Sequence, residues 1–195
     1  IGDKLCTGIV GKECLQRFPL DGSTVYKDAR GARLVAPGGE AVDFVRDDVQ
    51  AYVLDRVSYV ASFSRRALRA GAHYMLGHRV LEVSTDEDGA SVQVSDGEER
   101  RTLRARALVI ASGFGSDLTG QLGLGKVGDF ATGVQAEVMA PDVDRIHVYF
   151  GRDVAPGSFA WLVPTREGRA LVGLLCRHRG HAHLEKLLLR LQAQG

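Results

Sequence analysis

The chain has 195 residues, of which 45% are hydrophobic and 25% charged, and these values match a globular protein of one or two domains. Its formal net charge is +1, so no overall basic charge indicates binding to nucleic acid or to an anionic membrane. No segment approaches the run of about 18 apolar residues that marks a membrane-spanning helix. The three cysteines are odd in number and far apart, which implies no disulfide framework and favours a reducing, cytoplasmic compartment.

One helix in the first half of the chain is the clearest local prediction. Apolar and small residues recur at helical spacing from Val57 to Leu68, which predicts one buried face. Asp55 is suited to accept hydrogen bonds from the first-turn amides as N-cap, and Gly71 is suited to end the helix. A second amphipathic helix is predicted over 183–194.

Most other periodic segments are short and β-like, and glycine and aspartate turns separate them. The segments between 79 and 104 predict an antiparallel meander, and those from 132 onward predict a mostly antiparallel sheet. The predicted strands are 33–37, 41–45, 52–54, 73–75, 79–84, 91–95, 102–104, 132–139, 146–150, 159–163 and 170–175. Helices and several sheets together indicate a mixed α/β architecture.

A continuous apolar run at 107–111 differs from these segments and predicts a strand buried on both faces of a sheet. The run stops at the turn 112–116, where small residues let a ligand approach the backbone and amide groups can meet a pyrophosphate. An ordinary tight turn after a strand explains the same pattern, so both interpretations stay open.

A literal G-x-G-x-x-G motif occurs at 123–128. A dinucleotide fingerprint must follow a strand and open a helix. Here the motif follows 118–122, which predicts a short helical turn, and the residues from Phe130 on predict a strand. We therefore expect no dinucleotide at this loop, and a strand before the loop would be needed to support a plain NAD-binding Rossmann domain.

Phe159 and Trp161, the single tryptophan, lie two residues apart in a predicted strand and therefore share one face. Such a pair is suited to line an apolar ligand cavity, and it is equally suited to pack inside an ordinary core. Cys176 and the histidine-rich stretch 178–183 have the residue types of a metal site. Their position in a predicted loop with neighbouring arginines indicates a solvated turn, so we predict no metal.

Six short segments follow a specific order along nearly the whole chain: K-L-C-T-G at 4–8, Y-V-L-D-R at 52–56, A-G-A at 70–72, L-V-I-A-S-G at 108–113, P-G-S-F-A-W-L-V-P at 156–164 and A-L-V-G at 170–173. Their order resembles the central region of flavoproteins with the p-hydroxybenzoate-hydroxylase-like fold, and within them the geranylgeranyl reductase branch. The departures are Phe159 for a tyrosine, Val163 for a phenylalanine and Ser112 for an aspartate. The first removes a hydroxyl group but keeps an apolar wall.

The resemblance implies a mixed α/β (α+β) fold. In it, a partial Rossmann-like FAD-binding domain with a β-meander is interleaved with an antiparallel-sheet substrate domain. Residues 1–25 and 50–127 would form the first domain, with the meander at about 79–105, and residues 26–49 and 128–195 the second. The family begins with a strand and a G-x-G-x-x-G turn and continues with a G-D-A segment. Because neither occurs in these positions, we expect a central piece of a longer polypeptide that by itself binds FAD weakly or not at all.

The implied activity is FAD-dependent reduction of C=C bonds in a polyprenyl, geranylgeranyl-type or other apolar substrate, with NAD(P)H or ferredoxin as electron donor. Peripheral membrane contact is left open. The implied site residues are Phe159 and Trp161 as walls of the substrate pocket, Cys6 and Gly8 near the isoalloxazine ring, Arg56 on a FAD phosphate or ribose, and Ala111, Gly113 and Ser116 where the backbone meets the cofactor. The alternatives are a FAD-dependent aromatic hydroxylase or halogenase on the same fold, and a non-catalytic module that binds apolar ligands.

Overall fold

The computed structural model describes residues 6–19 and 24–194. The chain forms two compact units, the first made of the segments up to Ala70 and from Phe130 onward, the second of the residues from Gly71 to Asp129. The described elements in chain order are β1 (Ile9–Gly11), α1 (Lys12–Arg17), β2 (Val25–Ala29), β3 (Gly31–Val35), β4 (Ala41–Val45), β5 (Ala51–Leu54), α2 (Arg56–Arg69), β6 (Arg79–Asp86), β7 (Gly89–Ser95), β8 (Arg100–Ala105), α3 (Leu118–Gln121), β9 (Thr132–Met139), β10 (Ile146–Phe150), β11 (Phe159–Pro164), β12 (Arg169–Cys176) and α4 (Gly180–Gln192). This is the mixed α/β architecture that the sequence predicts.

A six-stranded sheet dominates the first unit, with the strand order β4-β3-β10-β11-β12-β9. Neighbouring strands run antiparallel, except that β10 pairs with β3 in parallel. The predicted hairpin of β3 and β4 is confirmed, and Gly39 takes the left-handed conformation in its turn, with φ +97°. The predicted antiparallel strands after residue 132 are confirmed as well.

Strand alternation gives this sheet a packed face and a face that carries a cavity. On the packed face, alternate residues of the strands form one hydrophobic core with helix α4, and Leu174 and Leu187 at its centre are 0% and 1% exposed. Burying one leucine side chain contributes about 1.5–3 kcal/mol, so this face supplies much of the stability of the unit. The strand and helix residues of this core include Val134, Tyr149, Ala160, Leu162, Ala170, Val172, Leu174, Cys176, Leu184 and Leu187.

A three-stranded antiparallel sheet, in the order β1-β5-β2, leads directly into helix α2. Asp55 caps the helix as predicted, since its carboxylate accepts the Ser58 backbone N–H at 3.0 Å and the Ser58 hydroxyl at 2.9 Å. These hydrogen bonds, the backbone one first, hold the pKa of Asp55 below its usual range. Gly71 follows the C-cap residue with φ +90°, which confirms the predicted helix end.

The second unit contains the predicted antiparallel meander, β6-β7-β8. The short helix α3 is held against it by one side chain. The Gln121 side-chain oxygen accepts the Val83 N–H at 3.0 Å, and its Nε2 donates to the Leu81 carbonyl oxygen at 3.3 Å. Because these bonds join residues about 40 positions apart, no local pattern predicts them.

Two predicted strands of the second unit are wrong. The run 107–111, expected to be buried on both faces, forms no strand, and Val109 is 86% exposed. No described strand pairs with it, and an extended segment becomes a strand only when a neighbour takes up its backbone hydrogen bonds. The segment 73–75 likewise has no strand partner, and Tyr74 is 45% exposed.

The G-x-G-x-x-G loop at 123–128 follows helix α3 and precedes β9. The strand that a dinucleotide fingerprint needs before it is thus replaced by a helical turn, which removes the basis for the plain Rossmann alternative. Among the described helices, α2 is the longest with 14 residues, and none is long and apolar enough to cross a membrane.

Candidate functional site

An apolar cavity of about 380 Å³ lies on the open face of the six-stranded sheet, where β1 and the residues before it face β9 to β12. Its volume is within the usual range of small-molecule sites. The lining residues are Cys6, Thr7, Ile9, Gly133, Val134, Gln135, Ile146, Val148, Phe159, Trp161, Val163 and Leu175. Cys6 has the only titratable side chain among them, so these described residues supply almost no charge to the cavity.

Phe159 and Trp161 form one aromatic wall of this cavity, as the two-residue spacing predicts. Their ring centroids lie 6.1 Å apart and the ring planes are tilted by 58°. The residues that alternate with them, Ala160 and Leu162, point to the packed face and are buried. The structure therefore favours the cavity interpretation of the aromatic pair over packing inside a closed core.

Two neighbours hold the Trp161 indole in place, and the sequence predicts a role for neither. The indole Nε1 donates a hydrogen bond of 3.2 Å to the side-chain oxygen of Gln135. Gly173 lies beneath the ring, because a methyl group added there would come within 2.6 Å of Trp161 Cε2 and would overlap Cζ2. The glycine in the segment 170–173 is a visible signal in the sequence, whereas nothing local indicates the partnership with Gln135.

Cys6 and Gly8 lie just before β1, and Cys6 reaches the same cavity as the aromatic pair. The Gly8 backbone N–H donates to Cys6 Sγ at 3.5 Å. Gly8 has φ +74°, and a methyl group there would overlap the Leu54 carbonyl oxygen. The close approach of β1 to β5 thus accounts for this glycine, and its predicted closeness to a flavin stays a prediction.

Arg56 occupies the first position of helix α2, where the N-terminal end of the helix dipole already favours anions. Its guanidinium lies 5.3 Å from the centroid of the Tyr59 ring. Among the described residues, no carboxylate lies within ion-pair distance of it, so its forked donors fit an anionic group such as a phosphate. Burial is the main cause that raises the pKa of Tyr59, and the Arg56 charge opposes this rise.

Ala111, Gly113 and Ser116 belong to the second unit and are at least partly exposed on its surface. Gly113 and Gly115 have φ of +74° and +85°, and a methyl group at either would contact no atom within 4 Å. Close packing inside the unit therefore does not explain why glycine stands at these two positions. Ser112, Gly115 and Ser116 line a cavity of about 560 Å³. The turn therefore fits a group that approaches its backbone, although Ala111 does not end a buried strand as predicted.

The predicted site residues thus fall into separate groups. Cys6, Phe159 and Trp161 meet at the apolar cavity of the first unit. Arg56 stands at the start of a helix of that unit, and the turn around Gly113 belongs to the second unit. No group of three or more metal-ligating side chains occurs in the described parts of the chain.

The family model described as DAO, FAD dependent oxidoreductase, matches residues 11–188. A digeranylgeranylglycerophospholipid reductase from Methanosarcina acetivorans is 29% identical over 187 residues, which cover 89% of this chain and 46% of that protein. A second protein of that description, from Methanothermobacter thermautotrophicus, is 30% identical over 156 residues, which cover 77% of this chain and 40% of that protein. The chain spans less than half the length of these two relatives.

Solved structures share the fold. A geranylgeranyl bacteriochlorophyll reductase-like protein from Thermoplasma acidophilum superposes with a TM-score of 0.84 at 22% identity, over 95% of this chain and 51% of that one. A myxobacterial chondrochloren halogenase gives a TM-score of 0.63 at 18% identity, over 92% of this chain and 44% of that one. At such identities the likeness concerns the fold alone.

Proposed function

Because the chain belongs to the DAO family of FAD-dependent oxidoreductases, we propose that it carries the substrate cavity and part of the flavin site of a C=C reductase. The substrate is an apolar isoprenoid of the polyprenyl, geranylgeranyl type. The proposal concerns the protein that contains this chain, since the chain spans less than half of its reductase relatives. The names of these relatives support the reaction class and the lipid substrate.

The observation that carries the proposal is the apolar cavity beside Phe159 and Trp161. Its described lining offers no carboxylate, imidazole or ammonium group to hold a polar substrate or to start hydrolysis. A chain of isoprene units matches such walls, since its affinity comes from apolar surface removed from water. A halogenase shares the fold, but nothing in this cavity specifically favours halogenation or hydroxylation.

When bound, FAD in its reduced form supplies the hydride, and the protein supplies position and a dry environment. In the first unit, Arg56 would hold an anionic group of the cofactor through its forked cation. In the second unit, the turn of Gly113 and Ser116 would let a cofactor group approach its backbone. Phe159 and Trp161 hold the alkene and exclude water. The Cys6 thiol would deliver the proton that the second carbon needs, because it is the only titratable group of the described lining.

The electron donor in this proposal is either NAD(P)H or ferredoxin, since no feature of the described residues favours one over the other. The proposal also includes contact with a membrane surface, because an apolar polyprenyl chain partitions from water into the hydrocarbon core of a bilayer.

The test supplies the purified protein with excess FAD and dithionite under argon and adds geranylgeraniol. Mass spectrometry should show a gain of two hydrogens for each reduced double bond. An oxygenated or halogenated product formed only when air or halide is admitted would contradict the reductase proposal and support the alternative enzymes. If the protein that contains this chain binds geranylgeraniol but forms no flavin-dependent product, that result would support a non-catalytic module.

A further inference from the structure

We propose that Gly173 and Gln135 determine the chain-length specificity of the cavity by holding the Trp161 indole flat on the sheet. The inference rests on the proposed function, because it assigns positioning residues to the same apolar site. Both residues act through Trp161, which is the side chain that contacts substrate.

The strand register brings these residues into one row. Trp161 of β11 pairs with Gly173 of β12, and Gly173 pairs with Gln135 of β9. Neighbouring strands are about 4.8 Å apart, so the row spans roughly 10 Å across the sheet. The indole extends along this row over the middle strand, because its Nε1 reaches the Gln135 side chain on the third strand at 3.2 Å.

Glycine is the only residue type at position 173 that leaves room for the indole in this arrangement. A methyl group there would lie 2.6 Å from Trp161 Cε2 and would overlap Cζ2, so the ring would have to rise from the sheet. Since the sheet blocks movement in the other direction, the displaced ring would enter the cavity. Its volume of about 380 Å³ would shrink, and a long branched chain would lose space before a short one.

Gln135 sets the orientation of the ring within that space. A tryptophan without a partner for its N–H can rotate about its side-chain bonds, and the hydrogen bond favours one position. The Gln135 side-chain oxygen is thereby engaged by the indole N–H, which pairs one acceptor and one donor of the cavity wall with each other.

The experiment uses Trp161 as its own probe, because it is the single tryptophan of the chain. The emission spectrum is recorded without ligand, and affinities for ten-carbon geraniol and twenty-carbon geranylgeraniol are measured by calorimetry. The main variant is Gln135→Met, which keeps the side-chain length and removes the acceptor. Gln93→Met is the matched control, since it makes the same exchange in strand β7 of the second unit, outside the cavity lining.

Gln135→Met should shift the Trp161 emission and weaken geranylgeraniol binding about three- to tenfold, the range that one neutral hydrogen bond covers, with a smaller loss for geraniol. Gln93→Met should leave the emission and the affinity ratio close to wild type. In a Trp161→Phe background, where no indole N–H exists, Gln135→Met should no longer change the ratio. Gly173→Ala should act in the same direction with a larger effect.

The Gly173→Ala methyl would also lie 2.6 Å from the Val134 carbonyl oxygen, so this variant can lose stability for a second reason. If Gly173→Ala does not fold, the Gln135→Met variants in the wild-type and Trp161→Phe backgrounds test the specificity role. An unchanged emission in Gln135→Met, or a shifted emission with an unchanged affinity ratio, would overturn the specificity role. If the wild type binds neither alcohol, the proposed function fails together with the specificity role, and the emission alone still reports on the indole contact.

Discussion

The two faces of the six-stranded sheet are built from the same strands and differ in almost every physical respect. On one face, Leu162, Val172 and Leu174 are buried against helix α4 and its neighbours. On the other, Phe159 is 39% exposed and Trp161 is only partly covered, with a cavity between them and β1. Alternation along a strand thus separates stabilising residues from binding residues one position apart. The comparison predicts that neighbouring substitutions have opposite consequences.

The largest effect is expected from a pair of adjacent leucines in β12. Leu174→Ala, on the packed face, should lower the free energy of unfolding by about 2–5 kcal/mol, because it leaves a cavity in a closed core. Leu175→Ala, on the cavity face, should cost less than about 2 kcal/mol and weaken geranylgeraniol binding. Urea unfolding and calorimetry measure the two quantities. Equal losses of stability in both variants would remove the difference between the faces.

The second effect concerns affinity rather than stability. Trp161→Ala should weaken geranylgeraniol binding about tenfold or more, since a large aromatic surface leaves the cavity wall. Tyr149→Phe is the control on the packed face, where the hydroxyl forms a hydrogen bond of 3.1 Å with His147 Nδ1. Its binding should match the wild type. An unchanged affinity in Trp161→Ala would contradict both the lipid cavity and the reductase proposal.

The smallest effect lies outside both faces, at the cap of helix α2. Asp55→Ala should cost about 1 kcal/mol at neutral pH, because the first-turn amide of Ser58 loses its acceptor. The pKa of Asp55 is lowered by folding, so this contribution is present above the unfolded value of about 3.9 and is lost as pH falls through the folded pKa. Unfolding curves from neutral to strongly acidic pH should therefore converge for wild type and Asp55→Ala.

Asp55→Asn is the matched variant for this prediction, since asparagine caps helices about as well but does not titrate. It should keep most of the stability at neutral pH and should lack the acid-dependent loss that Asp55 causes. A stability difference between wild type and Asp55→Ala that stays constant into strong acid would contradict the assigned role of the carboxylate.

Much of the local structure was predictable from the chain. Helix α2 has both its N-cap and its terminal glycine at the expected positions, and the meander and the strands after residue 132 follow from turn residues and alternation. The shared face of Phe159 and Trp161 follows from the same period of two. These features depend on contacts between residues close in sequence, which is why a pattern reveals them.

The run 107–111 does not form the strand that its local pattern predicts. Its composition is typical of a buried strand, but composition does not say whether a neighbouring strand is available, and in the described structure Val109 is exposed. For the same reason the division into flavin and substrate domains and the roles of Arg56, Gly113 and Ser116 stay predictions.

Local spacing in the chain predicts most of the elements and the aromatic pair on one strand face, and the order of its short motifs carries the resemblance to FAD-dependent reductases. Long-range packing brings Cys6 to the same cavity as the aromatic pair, places Gly173 beneath the indole and joins Gln135 to it by a hydrogen bond. Gln135 and Trp161 are separated by 26 positions in the chain. Strand pairing creates such contacts, and no short-range pattern contains the register that brings them together.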